Sequence, residues 1–182
     1  VQKENKIIIT LLLQADQFII TSKNIMPEKK DSPGVVIPPP LFYVSIFLVS
    51  FILQKWMPVS RSFFHSTISV LAGTFFIIIW LIFGIPAILQ FFKTKNSVIT
   101  VNPANSLQTS GIYSFSRNPM YVSLIALYTG LAFFMGNWWT LVLLPLVVII
   151  ITTLVIIPEE RYLGRAFGSS YSEYKKNVHR WL

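Results

Sequence analysis

The sequence predicts an all-α integral membrane protein with about four transmembrane helices, and three observations carry that expectation. Of 182 residues, 53% are hydrophobic and only 12% charged, against about 25% charged in an ordinary soluble domain. The apolar residues are gathered into long runs near the roughly 20 residues that a helix needs to cross a bilayer. Finally, thirteen of the fifteen Lys and Arg fall on one side of those runs.

The first run extends from about Pro40 to Met57, with Lys55 placed to snorkel and Trp56 suited to the interface. The second covers about Thr67 to Phe92 and carries Gly84 and Pro86, a combination expected to kink it. The third covers about Tyr121 to Met135, and the fourth about Trp139 to Ile157. Periodicity does not separate buried strands from helices in such runs. Their length and apolarity decide for helices, because lipid offers an unpaired backbone no partner. Only a few residues around Gly136 and Asn137 join the third run to the fourth, so the two must form a tight antiparallel hairpin.

Four spans place the N-terminus, the loop from Lys93 to Pro119 and the C-terminal tail on one side. All seven acidic residues and every Lys and Arg except Lys55 and Arg61 lie there. The positive-inside rule assigns that side to the cytoplasm. The net charge of +8 is thereby explained without nucleic acid as a partner. No Cys is present, which excludes disulfides, thiolate metal sites and cysteine nucleophiles. His65 and His179 stand far apart, so no metal site is expected.

The chain divides into a leader over 1–34, a transmembrane hairpin over 35–95 and a C-terminal region over 96–182. It opens on Val1, and MPEKKDSPG from Met26 reads as a more natural start. Residues 1–25 are therefore expected to be a disordered leader or an over-extended reading frame. The run IIITLLL is too short for a signal peptide.

Two polar stretches flank the hairpin. Residues 96–121 carry turn signals at Asn102-Pro103 and Ser110-Gly111, then Arg117, Asn118 and Pro119 open the third span. Pro at a helix start is ordinary, so SRNPMY taken alone reads as readily as a helix start with Arg117 among lipid phosphates. Residues 158–182 begin with Pro158, Glu159 and Glu160. Adjacent carboxylates at a membrane surface repel unless they face a cation; nearby Arg and Lys could supply it, or a ligand could. Tyr162, Leu163, Phe167, Tyr171, Tyr174 and Val178 then recur at helical spacing, the pattern of an amphipathic interfacial helix that Gly164 and Gly168 weaken or break. The hairpin makes its two ends neighbours, so RNPMY and PEER converge across about 40 intervening residues. The eight glycines form neither a dinucleotide fingerprint nor a phosphate loop.

These residues resemble a known family. Leu107, Gly111, Tyr113 and Arg117-Asn-Pro-Met-Tyr121, then a hydrophobic hairpin, then Glu159-Glu160, Leu163, Phe167-Gly168, Tyr171, Tyr174, Val178 and Arg180 are similar, in order and spacing, to the isoprenylcysteine carboxyl methyltransferases. That family belongs with the membrane phospholipid methyltransferases. The resemblance covers about residues 35–182 and is strongest from Leu107 onward. It implies an S-adenosylmethionine-dependent enzyme with a C-terminal cofactor pocket opening to the cytosol, and a lipophilic or lipidated substrate arriving from the membrane. Its cofactor contacts would fall on Tyr113, Asn118, Pro119, Met120, Tyr121 and Glu159, with the approach from Asn105 through Leu107 to Gln108. Arg117 and Glu160 would be the catalytic pair, and Tyr171, Tyr174 and Arg180 would line or brace the pocket.

Two departures bear on the acceptor. Asn118 stands where the eukaryotic carboxyl methyltransferases usually carry His, and the turn before the paired glutamates, Thr153 to Ile157, lacks their substrate-recognising Arg. A carboxylate acceptor is ionised at neutral pH and needs no base; an amine must first lose a proton. A carboxylate is therefore the expected acceptor. A phospholipid amine, an NADPH-dependent membrane reductase and a non-catalytic membrane scaffold are the alternatives, and the oligomeric state is left open.

Overall fold

A computed structural model describes residues 34–35, 37–94 and 106–182. Residues 1–33 of the expected leader, Asn102-Pro103 and Asn105 lie outside the described residues. Among those described, the chain is helical with no strand. Helix α1 spans Pro39–Trp56, α2 Thr67–Lys93, α3 Pro119–Met135, α4 Trp138–Val142, α5 Leu144–Ile151 and α6 Ile157–Asn177. A π-helical turn over Thr152–Ile156 joins α5 to α6, and short 3-10 turns occupy Ser62–His65 and Gly111–Ser114.

Three helical stretches are long and apolar enough to cross a membrane: Pro39–Trp56, Thr67–Lys93 and the run Trp138–Asn177. Helix α3, at 17 residues, is shorter and reaches about 26 Å at the usual rise per residue. Each start and stop has a local cause. Pro residues sit in the first turns of α1 and α3, where a missing N–H costs nothing, and Pro145 and Pro158 stand where α5 and α6 continue the preceding helical turn. Ser66 caps α2 by accepting from Ser69 N, and α2 stays helical through Gly84 and Pro86 to Lys93. Gly136 closes α3 at φ 64°, ψ 49°, a left-handed cap that suits glycine. Asn137 then opens α4, its side chain accepting from Trp139 N.

The most extensive helix–helix packing is between α2 and α3. Small residues permit it: a methyl group on Gly84 would stand 3.2 Å from Ser123 Oγ, and one on Gly130 would stand 3.1 Å from the Gly73 carbonyl. Helices in lipid associate through such close backbone approach rather than through hydrophobic burial. Helix α1 packs on α4, α5 and α3 from the other side. The buried cluster there contains Val35, Tyr43, Tyr121, Tyr128, Val147, Ile151, Val155 and Ile156.

At the Gly136 end of the bundle, Ser50, Asn137 and Thr140 are fully buried. Ser50 and Thr140 hydroxyls lie 2.7 Å apart, and Asn137 Nδ2 donates to Ser50 Oγ at 3.1 Å. Asn137→Ala removes both this bond and the cap, and takes from Trp139 N its side-chain acceptor. It is expected to cost about 1–3 kcal/mol, measured as a lower Tm in detergent.

The π turn is the main departure from the expected fourth span. Thr152 and Thr153 hydroxyls donate back to the carbonyls of Val148 and Ile149 at 2.7 and 2.8 Å, a pattern that competes with the regular ladder. Val147 and Ile151 are wholly buried at a spacing of four; then Val155 and Ile156 are both wholly buried, because the wider turn brings an extra residue to the inner face. The amphipathic C-terminal segment is not a separate helix at its start. It continues the fourth span through Ile157 and breaks only at Gly168 (φ 52°, ψ −121°), while Gly164 stays helical.

Candidate functional site

The site lies at the open end of the α3–α4/α5 hairpin, where Pro119 starts one arm and Ile157 leaves the other. Successive residues on a helix point about 100° apart, so Glu159 and Glu160 meet different partners. Tyr121 Oη donates to Glu159 Oε1 at 2.7 Å. Glu160 faces two guanidiniums: Arg117 Nη1 is 3.0 Å from Oε1, and Arg180 reaches Oε1 through Nε at 2.9 Å and Oε2 through Nη2 at 2.8 Å. The Arg117 and Glu160 side chains are only 10% and 11% exposed, so this pair is largely withdrawn from water, whereas Arg180 is 38% exposed. The bidentate contact fixes Arg180 in orientation as well as in charge and raises its proton affinity further.

Arg117 Nη1 also donates to Tyr171 Oη at 3.3 Å. Its Nε is buried with no hydrogen-bond partner, although buried polar atoms are nearly always paired. That orphaned donor belongs to the guanidinium that Glu160 engages through Nη1.

The C-terminal tail turns back across the start of α3. Arg117 N donates to the His179 carbonyl at 3.0 Å, and the Arg180 carbonyl accepts from Asn118 Nδ2 at 2.9 Å and Ser116 Oγ at 3.4 Å. Trp181 packs against the buried cluster that holds Tyr121 and Val155. Asn118 thus holds the tail with its amide, and the tail presents Arg180 to Glu160. Ser116 is wholly buried and receives Asn118 N at 3.1 Å.

A second group forms around the 3-10 turn Gly111–Ser114. Tyr174 Oη donates to the Tyr113 carbonyl at 2.6 Å, and the Phe91 ring lies 5.9 Å from that of Tyr113. Burial pushes the Tyr113 phenol above its ordinary range, with Tyr174 and Glu159 adding to the effect, so it remains a neutral donor. Tyr174→Phe leaves this carbonyl without its side-chain donor. Thermal melts should show a loss of about 1–2 kcal/mol, the range for one buried hydrogen bond.

The structure therefore brings together Arg117, Asn118, Tyr121, Glu159, Glu160, Tyr171 and Arg180, and beside them Tyr113 and Tyr174. Pro119 is buried, Leu107 and Met120 are half-buried, and no described side-chain hydrogen bond ties these three to the cluster. Sequence reasoning missed Ser116, the His179 carbonyl and Tyr43, whose hydroxyl reaches the Tyr121 carbonyl at 3.5 Å from α1. Only the SRNPMY run, which contains Ser116, signalled any of these. Among the described residues no group of His, Asp and Glu suits a metal ion.

Comparison with known proteins bears on this arrangement. The phospholipid methyltransferase family profile matches residues 66–170, from the cap of α2 to just past the break in α6. A protein-S-isoprenylcysteine O-methyltransferase of Schizosaccharomyces pombe is 36% identical over 77 residues, which is 42% of this chain and 33% of that protein. The match thus spans about a third of the relative's length. No solved structure matches.

Proposed function

The chain belongs to the phospholipid methyltransferase family, and on that footing we propose that it transfers the methyl group of S-adenosylmethionine to a lipophilic acceptor at the membrane, with a carboxylate as the methylated group. The observation that carries this reading is the constellation at the hairpin mouth: Glu159 held by Tyr121, and Glu160 shared by Arg117 and Arg180.

The residues fit the cofactor. Tyr121 occupies one Glu159 oxygen, which leaves the carboxylate able to face a cation with its other oxygen. The buried, unpartnered Arg117 Nε suits an anionic group such as a carboxylate. Tyr171 bonds Arg117, Asn118 holds the backbone of Arg180, and Tyr174 joins Tyr113 beside them. When bound, S-adenosylmethionine supplies a sulfonium methyl that an in-line nucleophile can displace. The protein's task is then alignment and exclusion of water, and a buried mouth between two helix ends serves both.

A carboxylate acceptor is favoured because it is ionised at neutral pH and needs no base, whereas an amine would first have to give up a proton, for which Glu159 is the carboxylate of the cluster that no arginine engages. Asn118 cannot titrate, and its amide is held by the Arg180 carbonyl. The turn before the glutamates offers no cation either, since the Thr152 and Thr153 hydroxyls return to the backbone and Val155 and Ile156 are wholly buried. This weighs against a prenylated cysteine recognised as in the eukaryotic enzymes. The distribution of Lys and Arg supports a cytoplasmic mouth. A reductase would need cations for a nicotinamide phosphate, but Arg117 and Arg180 both engage Glu160.

A thermal-shift titration in detergent with S-adenosylmethionine, its demethylated product and NADPH tests the reading. Saturating ligand at a hundred times its Kd stabilises the folded state by about 2.7 kcal/mol. A shift with the first two alone supports the methyltransferase; a shift with NADPH alone overturns it, and silence with all three leaves a non-catalytic scaffold. Labelled methyl transfer to prenylated cysteine, to fatty carboxylates and to phosphatidylethanolamine vesicles then separates the acceptors.

A further inference from the structure

Helix α2 ends beside the segment that leads into Tyr113, and Gln90 in its last turns makes the connection. Its Nε2 donates to Gln108 Oε1 and to Ser110 Oγ, each at 3.1 Å, so both amide hydrogens are used. Gln108 in turn donates to Ser106 Oγ at 2.8 Å. The other half of the Gln90 amide is equally close-fitting: a Cβ on Gly111 would lie 2.8 Å from Gln90 Oε1. Gly111 has φ +62°, a conformation glycine adopts without strain. Two independent features, the paired donors and the glycine that makes room for the acceptor end, therefore fit this backbone turn around a single side chain. Phe91, the next residue, places its ring against Tyr113.

We infer that Gln90 is a positioning residue for the cofactor segment 106–114, fixing the turn that carries Tyr113 from the α2 side while Tyr174 fixes it from the α6 side. The inference rests on the cofactor reading above. It extends the site to a helix that none of the family-like motifs includes. A polar side chain near the end of an apolar helix is otherwise unremarkable in sequence; here it links α2 to the segment that leads into Tyr113.

The test uses the full chain in detergent, with S-adenosylmethionine as the probe in calorimetry. Gln90→Met keeps the length and removes both donors; Gln90→Glu keeps the shape but puts a charged acceptor oxygen where the donors stood. Both are expected to weaken S-adenosylmethionine binding about tenfold, the effect of two hydrogen bonds of ordinary strength. In turnover the cost falls mainly on KM for S-adenosylmethionine, with kcat reduced no more than about twofold, because the catalytic groups on α3 and α6 stay in place. Asn137→Ala serves as the contrast: it loosens the opposite end of the bundle, lowering Tm while leaving that affinity unchanged. If Gln90→Met does not fold, Ser110→Ala removes one of the two acceptors and is expected to weaken binding about threefold. Wild-type binding with all Gln90 and Ser110 variants within twofold of it overturns the inference. Failure of the wild-type protein to bind S-adenosylmethionine overturns instead the reading on which it rests.

Discussion

Glu160→Gln is expected to abolish methyl transfer and to destabilise the protein measurably, the largest combined effect of any single change at the mouth. Arg117 is 10% exposed and has Glu160 as its anionic partner. Glutamine would leave that guanidinium buried with its charge uncompensated. Removing one member of a buried pair costs about 3–5 kcal/mol, and the exposure of Arg180 places this case near the lower end. For a chain of this size about 3 kcal/mol corresponds to a Tm lowered by roughly 6–12 °C. The functional loss follows by a different route. Arg180 would lose its bidentate anchor, and the tail it belongs to would be held by the backbone contacts of His179 and Arg180 with Ser116, Arg117 and Asn118 and by the packing of Trp181. Thermal melts and methyl-transfer assays on the same preparation separate the two effects. A variant with wild-type Tm and activity would show that the three-residue charge cluster is ornamental.

Glu159→Gln is expected to leave the fold intact and to weaken S-adenosylmethionine binding by about ten- to a hundredfold. Unlike Glu160, this residue has a neutral hydrogen-bond partner, Tyr121, and glutamine can still accept from that hydroxyl. The structural cost is therefore small. What disappears is the negative charge available to a cationic ligand, and hydrogen bonds to a charged group are worth about 1.5–3 kcal/mol. The expected result is a Tm close to wild type without ligand and a smaller shift on adding S-adenosylmethionine. A folded Glu159→Gln protein that retains wild-type binding would remove Glu159 from the cofactor site. Tyr121→Phe makes an informative companion, since it removes the hydroxyl donor from the carboxylate while leaving Glu159 itself in place.

These two neighbours illustrate what pattern reading reaches and what it does not. The pair stood out in sequence because two carboxylates follow a long apolar run, and the short Gly136-Asn137 connection showed that Arg117-Asn118 had to lie near them. The division of labour was not legible. Which glutamate meets the tyrosine and which the arginines depends on helical phase, and the π turn at Thr152–Ile156 resets that phase just upstream.

The same holds for the resemblance. It named residues in two blocks, and the structure joins those blocks through contacts the motifs do not contain. Asn118, which replaces a histidine of the eukaryotic enzymes, holds the carbonyl of Arg180. Tyr43, near the start of α1, lies outside the residues matched by the family profile, yet its hydroxyl meets the backbone of Tyr121.

The sequence by itself determined the helical spans, the hairpin and the convergence of its two ends, because lipid permits few backbone solutions and a short connection between two spans permits one neighbour relation. The tertiary structure alone decided the rest. It turned the tail back onto Ser116–Asn118, broke α6 at Gly168 rather than Gly164, and brought Gln90 against Gly111. Each of these depends on where distant backbone groups find hydrogen-bond partners, and such pairings leave no period or spacing in the chain.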